Sequence, residues 1–161
     1  MAAGATYTPI ATTTAGGSSA VITFSSIPST YTDLIIVCNV LPMTAGGLNL
    51  TYNNDTSSIY SNTEIYGDGS TAVSARTSGY GYMRVGYTNA SNPINAIVHI
   101  QNYANTSTFK TLLNRWNSSL YAFATVGLWR STAAINRLDL TAVSNIPSGA
   151  TFTLYGIASS G

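Results

Sequence analysis

No stretch of this sequence repeats its apolar residues every three or four positions, as an amphipathic helix must. Short β-branched and aromatic runs recur instead, parted by Gly, Pro, Asn and Ser. The pattern predicts strands over Thr6–Thr13, Ala20–Phe24, Leu34–Leu41, Leu48–Tyr52, Glu64–Tyr66 and Val73–Arg76. It predicts six more over Tyr80–Tyr87, Ala96–Tyr103, Phe109–Trp116, Ala122–Arg130, Ile135–Val143 and Thr151–Ile157. So many short strands predict an all-β chain, an antiparallel β-sandwich with jelly-roll-like order. Residues 1–19 are small and Thr-rich, with Gly16-Gly17-Ser18-Ser19 as a joint, and read as an N-terminal arm. Such an arm packs either on its own domain or across a neighbour. Residues 20–161 read as one sandwich domain, and 161 residues suffice for a sizeable core.

Two runs are apolar on both strand faces: Leu34-Ile35-Ile36-Val37-Cys38 and Phe123 to Trp129. A strand of that kind belongs in the middle of a sheet with cover on both sides. If a partner supplies the second cover, the chain is an oligomer. By contrast, Leu138, Leu140 and Ala142 alternate with Arg137, Asp139 and Thr141, giving one buried face and one wet one. One local device occurs twice. Ser25-Ser26-Ile27-Pro28-Ser29 leads into the strand at Leu34, and Ser144-Asn145-Ile146-Pro147-Ser148 leads into the strand near Phe152. Proline fixes φ and restricts the residue before it, so each segment predicts a rigid corner with an Ile pinned at its start.

Charge excludes several functions. Only 7% of the residues are charged and the net charge is +1, where about a quarter is usual. Polarity comes from Ser, Thr and Asn, roughly a third of the chain. Six scattered cations do not make a nucleic-acid surface, which needs clustered Lys and Arg. The N-terminus lacks the basic and apolar regions of a secretory signal, and no apolar run is long enough to span a bilayer. Five Asn-x-Ser/Thr sequons, at Asn49, Asn54, Asn89, Asn105 and Asn117, are expected by chance in such a composition. One Cys and one His leave neither a disulfide framework nor an ordinary zinc site. Cys38, inside an apolar strand, reads as an inert buried thiol.

Catalytic candidates are few: Asp33, Asp55, Glu64, Asp68, Asp139 and His99. Glu64 and Asp68 flank Tyr66-Gly67, and glycoside hydrolysis needs two carboxylates. Asp68-Gly69 is also an ordinary turn dipeptide, and Glu64 suits a solvated strand position. His99, between Val98 and Ile100, reads as a hydrogen-bonded core or interface histidine. Asn53-Asn54-Asp55-Thr56-Ser57 offers oxygens but lacks the spaced acids of a calcium loop. The reading is therefore non-enzymatic, with no cofactor and no metal. Eleven Tyr and two Trp are the stronger signal, because such rings favour interfaces. Strand alternation puts Tyr80, Tyr82 and Arg84 on one face, with Met83 and Val85 on the other. The three are candidate interface or glycan-facing residues, and filling a core or an intersubunit seam is the preferred role.

Five segments carry a family resemblance: ITFSSIPSTYTDL (Ile22–Leu34), YGDGS (Tyr66–Ser70), QNYANTSTFKT (Gln101–Thr111), VGLWRSTAAI (Val126–Ile135) and SGATFTLYGI (Ser148–Ile157). Together they resemble a family of bacteriophage virion proteins common in phages of marine and freshwater bacteria. Its members are described as structural, tail-fibre-like or head proteins, with no catalytic residues to carry over. The resemblance implies a protein made in the host bacterial cytoplasm and located in the virion. A tail fibre needs an attachment region and a long trimeric shaft, and neither is read here. A capsid decoration (cement) protein is the expectation: a homotrimer that binds the major capsid protein and bridges subunits on the outer head. The alternative is a receptor-binding or tail-fibre tip domain that recognises host surface glycans. Neither implies nucleic-acid or membrane contact.

Overall fold

A computed structural model describes residues 6–44, 46–88, 91–117 and 119–158. It contains twelve strands and no helix among those residues. They are β1 (Tyr7–Thr14), β2 (Val21–Phe24), β3 (Asp33–Val40), β4 (Gly46–Tyr52), β5 (Tyr60–Gly67) and β6 (Ala72–Tyr80). The rest are β7 (Met83–Thr88), β8 (Ile94–Ile100), β9 (Lys110–Asn117), β10 (Ala122–Trp129), β11 (Leu138–Ala142) and β12 (Thr151–Ile157). All pairings are antiparallel, in an eight-stranded sheet ordered β1-β12-β3-β8-β9-β10-β5-β6 and a four-stranded sheet ordered β2-β11-β4-β7. The antiparallel sandwich is therefore shown; a jelly-roll order, eight strands in two Greek keys, is not. Within the expected arm, β1 pairs with β12 of its own chain and forms an edge of the large sheet. Residues 1–5 of that segment lie outside the described residues.

The twin corners do the same job. Each Ile-Pro segment carries the chain from the small sheet to the large one, from β2 to β3 and from β11 to β12. β2 pairs with β11 and β3 with β12, so the two strand-corner-strand units lie side by side in opposite directions. Ile27 and Ile146 are both buried beneath their corners. Each backbone N–H donates to a distant carbonyl, Ile27 to Asn136 at 3.0 Å and Ile146 to Ser19 at 2.8 Å. The unbonded main chain at a sheet crossing is thus satisfied by its neighbour.

Between the sheets lies one core. The large sheet contributes Leu34, Ile36, Ile94, Val98, Ile100, Phe152 and Leu154, and the small sheet contributes Leu48, Leu50, Met83, Val85, Leu138 and Leu140. Tyr52, Tyr60 and Trp129 close one end of it as an aromatic group, with Tyr52 and Trp129 edge to face at 5.4 Å. Eight strands under four leave an overhang. β7, the last strand of the small sheet, crosses the inner faces of β8, β9, β10 and β5. Gly127 of β10 permits this close approach, since a Cβ there would sit 2.6 Å from the Met83 sulfur and 2.9 Å from Leu112 Cγ. Beyond β7, the far halves of β5, β6 and β10 have no sheet above them, and burial fades along β5 from Asn62 onward.

One predicted strand is corrected. Tyr80–Tyr87 is two strands in two sheets: Tyr80 ends β6, Gly81 and Tyr82 form a bend, and Met83 opens β7. Gly79, at φ 75°, marks the bulge where the β5–β6 register shifts. At Gly81 a Cβ would lie 2.4 Å from the Thr56 carbonyl oxygen. The alternation of apolar residues continues through the bend, which is why the sequence reads as unbroken.

Candidate functional site

Under the overhang is a cleft of about 600 Å³, bounded on one side by β7 and floored by the inner faces of β9, β10, β5 and β6. Strand register builds its aromatic end. Phe123 of β10 is paired with Trp116 of β9 on one side and with Tyr66 of β5 on the other. Side chains directly across an antiparallel pair project to the same face. The three rings therefore form a stack, with centroids 3.6 Å apart between Trp116 and Phe123 and 4.9 Å between Phe123 and Tyr66. Tyr121 meets Tyr66 edge-on at 5.7 Å. The next register row inward is Asn114, Thr125, Glu64 and Ala75. Glu64 therefore sits on the cleft floor just below the stack.

From the opposite wall comes Arg84, on β7. The Arg84 guanidinium carbon lies 6.0 Å from the centroid of the Tyr87 ring, which also borders the cleft. β7 is held here by two asparagines of the large sheet: the Asn62 amide meets the Arg84 main chain, and Asn114 Nδ2 donates to the Val85 carbonyl at 3.0 Å. Burial pushes the Glu64 carboxyl above the ordinary glutamate range, and the nearby Arg84 charge opposes that rise only in part. Yet the ion pairs among the described residues are His99–Asp33 and Arg137–Asp139, so Glu64 and Arg84 are not in direct contact. Arg84 Nε and Trp116 Nε1 are buried donors without a protein acceptor.

The other sequence candidates lie elsewhere. Asp68 is an exposed turn residue whose Oδ1 accepts from the Ser70 and Thr71 N–H groups at 2.8 Å each. Those bonds hold its pKa below the ordinary range. Glu64 and Asp68 are four residues apart along extended chain, about 13 Å at the usual rise, which is beyond the carboxylate spacing of a glycosidase. Tyr80 and Tyr82 touch edge to face, with centroids 5.5 Å apart. Tyr82 borders a depression on the outer face of the small sheet, whereas Arg84 borders the cleft. The three do not share a strand face.

His99 Nε2 bonds Asp33 Oδ2 at 2.8 Å, and Asp33 Oδ1 accepts from the Asn102 N–H at 2.8 Å. It is the hydrogen-bonded histidine expected. The oxygens of the 53–57 loop are engaged within the protein: Asn53 Oδ1 accepts from the Asn136 and Arg137 N–H groups. Asp55 accepts from Ser57 on one oxygen and from Trp129 Nε1, at 2.8 Å, on the other. Cys38 is buried, and burial pushes its thiol up to about 12.

A second surface is the outer face of the large sheet. One register row reads Thr153, Val37, Ile97, Arg115, Ala124, Ile65, and its neighbour reads Tyr155, Ile35, His99, Leu113, Val126, Thr63. Val37 is 38% exposed, Val126 51%, Leu113 53% and Ile65 62%. The two doubly apolar runs found in the sequence, on β3 and β10, are thus covered on the inner side, and on the outer side Ile35 is buried while Val37 and Val126 are exposed. A shallow hollow of about 550 Å³ runs past Val37, Ile97 and Arg115 on this face. Among the described residues, Arg115 and Arg76 are the arginines of this outer face, and neither is in an ion pair.

The molecule is thus an antiparallel two-sheet sandwich with an aromatic cleft at one end and an open apolar sheet face. Comparison with protein-family models, with curated proteins and with solved structures found no match to this chain.

Proposed function

We propose that this protein is a non-enzymatic bacteriophage virion structural protein, a capsid decoration (cement) protein that assembles through the outer face of its large sheet. One observation carries the reading: Val37, Leu113, Val126 and Ile65 are exposed on one sheet face, on β3, β9, β10 and β5, with half-buried Ile97 of β8 next to Val37. Contiguous apolar surface of this kind marks a docking site rather than a solvated face. Arg115 and Arg76 are the arginines of this face and it carries little other charge, which fits a buried contact, where desolvating charge is costly. A partner seated on this face buries β3 and β10 on both sides, as their composition requires. A homotrimer that contacts the major capsid protein and bridges capsid subunits on the outer head uses the surface in that way. The family resemblance of the sequence supplies the virion setting.

Cryo-electron microscopy of virions, with copy number from quantitative mass spectrometry, tests the reading. Density on the head surface and copies on the order of hundreds are expected from icosahedral repetition. Density confined to the tail, with one or two dozen copies, overturns it in favour of the receptor-binding or fibre-tip reading.

A further inference from the structure

We infer that the cleft between β7 and the overhanging β5–β6–β10 face is a binding site for a neutral sugar residue of a glycan. The inference does not depend on where in the virion the protein sits.

Three properties of the cleft select the ligand. The first is shape with chemistry: Trp116, Phe123 and Tyr66, stacked on one another, form an aromatic wall at one end, and the next row supplies Glu64. A pyranose has C–H groups that pack against such apolar ring surface and a rim of hydroxyls that both donate and accept. A wholly apolar ligand would leave the carboxylate and guanidinium desolvated without partners, at a cost larger than its own burial returns. The second is charge. Glu64 and Arg84 contribute one negative and one positive group, so an acidic or basic ligand meets no surplus of the opposite sign. The third is the spacing of those two groups. They form no ion pair with one another, so hydroxyls can donate to Glu64 and accept from Arg84.

The volume is consistent: about 600 Å³ is enough for one or two sugar rings. The cleft lies on the inner side of the large sheet, away from its outer apolar face, so docking there and a bound glycan do not compete.

The test is a titration of the intact protein with neutral hexasaccharides (gluco-, manno-, galacto- and xylo-configured), followed by calorimetry and tryptophan fluorescence. Trp116 borders the cleft and Trp129 does not, so a fluorescence change that disappears in Trp116→Phe reports the cleft. At least one neutral series is expected to bind with a Kd below about 10 mM and to perturb fluorescence. Glu64→Gln keeps the side-chain shape and is expected to weaken that binding about tenfold or more, as is Tyr66→Ala. Tyr80→Ala, outside the cleft, is expected to leave it unchanged. Binding by none of the neutral series, an unchanged Kd for Glu64→Gln, or binding only of an acidic glycan or an extended peptide overturns the inference. None of these outcomes moves the protein from head to tail, so failure here is distinct from failure of the decoration reading.

Discussion

Trp116 and Phe123 lie face to face across the β9–β10 pair, with ring centroids 3.6 Å apart and planes 7° from parallel. The contact follows from the hairpin itself, because the two residues stand at equal distances from the middle of the β9–β10 connection and are register partners. Phe123 also stacks on Tyr66, so its ring is the middle of three. Phe123→Ala is therefore expected to cost about 2 kcal/mol, less than a fully buried phenylalanine because the cleft leaves the ring half-exposed. Urea unfolding checks it: the midpoint falls and the m-value stays constant, since the same surface is exposed on unfolding.

How far the sequence reached depends on whether a property is local. Alternation and turn residues are local, so a part of every strand was legible, and so were the Ile-Pro corners; Tyr60–Thr63 of β5 and Thr77–Gly79 of β6 were not read as strand. Ile27 and Ile146 are buried as their rigid turns require. Sheet membership is not local. Residues 80–87 keep an alternating pattern while the chain changes sheets at Gly81, where only the distant Thr56 carbonyl explains the missing side chain. That change separates Arg84 from Tyr80 and Tyr82 and places it opposite Glu64. The cleft was illegible for the same reason. Tyr66, Trp116 and Phe123 come from three strands, and nothing in their own neighbourhoods announces that β5 pairs with β10. Glu64 and Arg84 were both visible as candidates, but sequence proximity pairs Glu64 with Asp68 and Arg84 with Tyr80 and Tyr82.

Glu64 carries a stability penalty that a glutamine would not. Burial raises its pKa in the folded chain above the unfolded value. A carboxyl raised in this way contributes stability that is full below the unfolded pKa and lost as pH rises through the folded one. At neutral pH Glu64 is thus held ionised at a cost. Glu64→Gln is expected to raise the melting temperature at neutral pH. The gain should vanish at about pH 3, where the carboxyl is protonated in both states. Thermal melts at the two pH values measure it, and an equal or lower melting temperature at neutral pH contradicts the prediction.

Asp139 has the opposite sign. Burial alone would push its carboxyl up, but a two-pronged contact from Arg137, with Nε and Nη2 each at 2.8 Å, and the Thr23 hydroxyl at 2.7 Å hold it below the ordinary range. A depressed carboxyl contributes stability above its unfolded pKa and loses it as pH falls through the folded value. Asp139→Asn is expected to destabilise the protein by about 1–3 kcal/mol at neutral pH. It should also flatten the loss of stability seen below about pH 4. Arg137 is 42% exposed, so salt screens part of the contact. The mutant and wild-type curves should therefore approach each other in 1 M salt, a condition in which the Debye length is about 3 Å.

Leu113 and Val126 are cross-strand partners on the outer face of the large sheet, 53% and 51% exposed in the single chain. Residues this exposed add little to the folding of one chain, and surface substitutions of that kind usually change stability by no more than about 0.5 kcal/mol. In an assembly that covers the face, they sit at its centre, where a buried unpaired charge costs several kcal/mol. Leu113→Glu and Val126→Glu are therefore expected to leave the melting temperature of dilute protein within a few degrees of wild type. The same changes should abolish self-association in sedimentation equilibrium and binding to capsids stripped of the protein. Thr153, at the β12 end of the face, supplies a control: Thr153→Glu is expected to weaken both only slightly, because a rim charge keeps most of its water. If the two central glutamates assemble and bind as well as wild type, the outer face is not the contact, and the apolar character of β3 and β10 needs another cause.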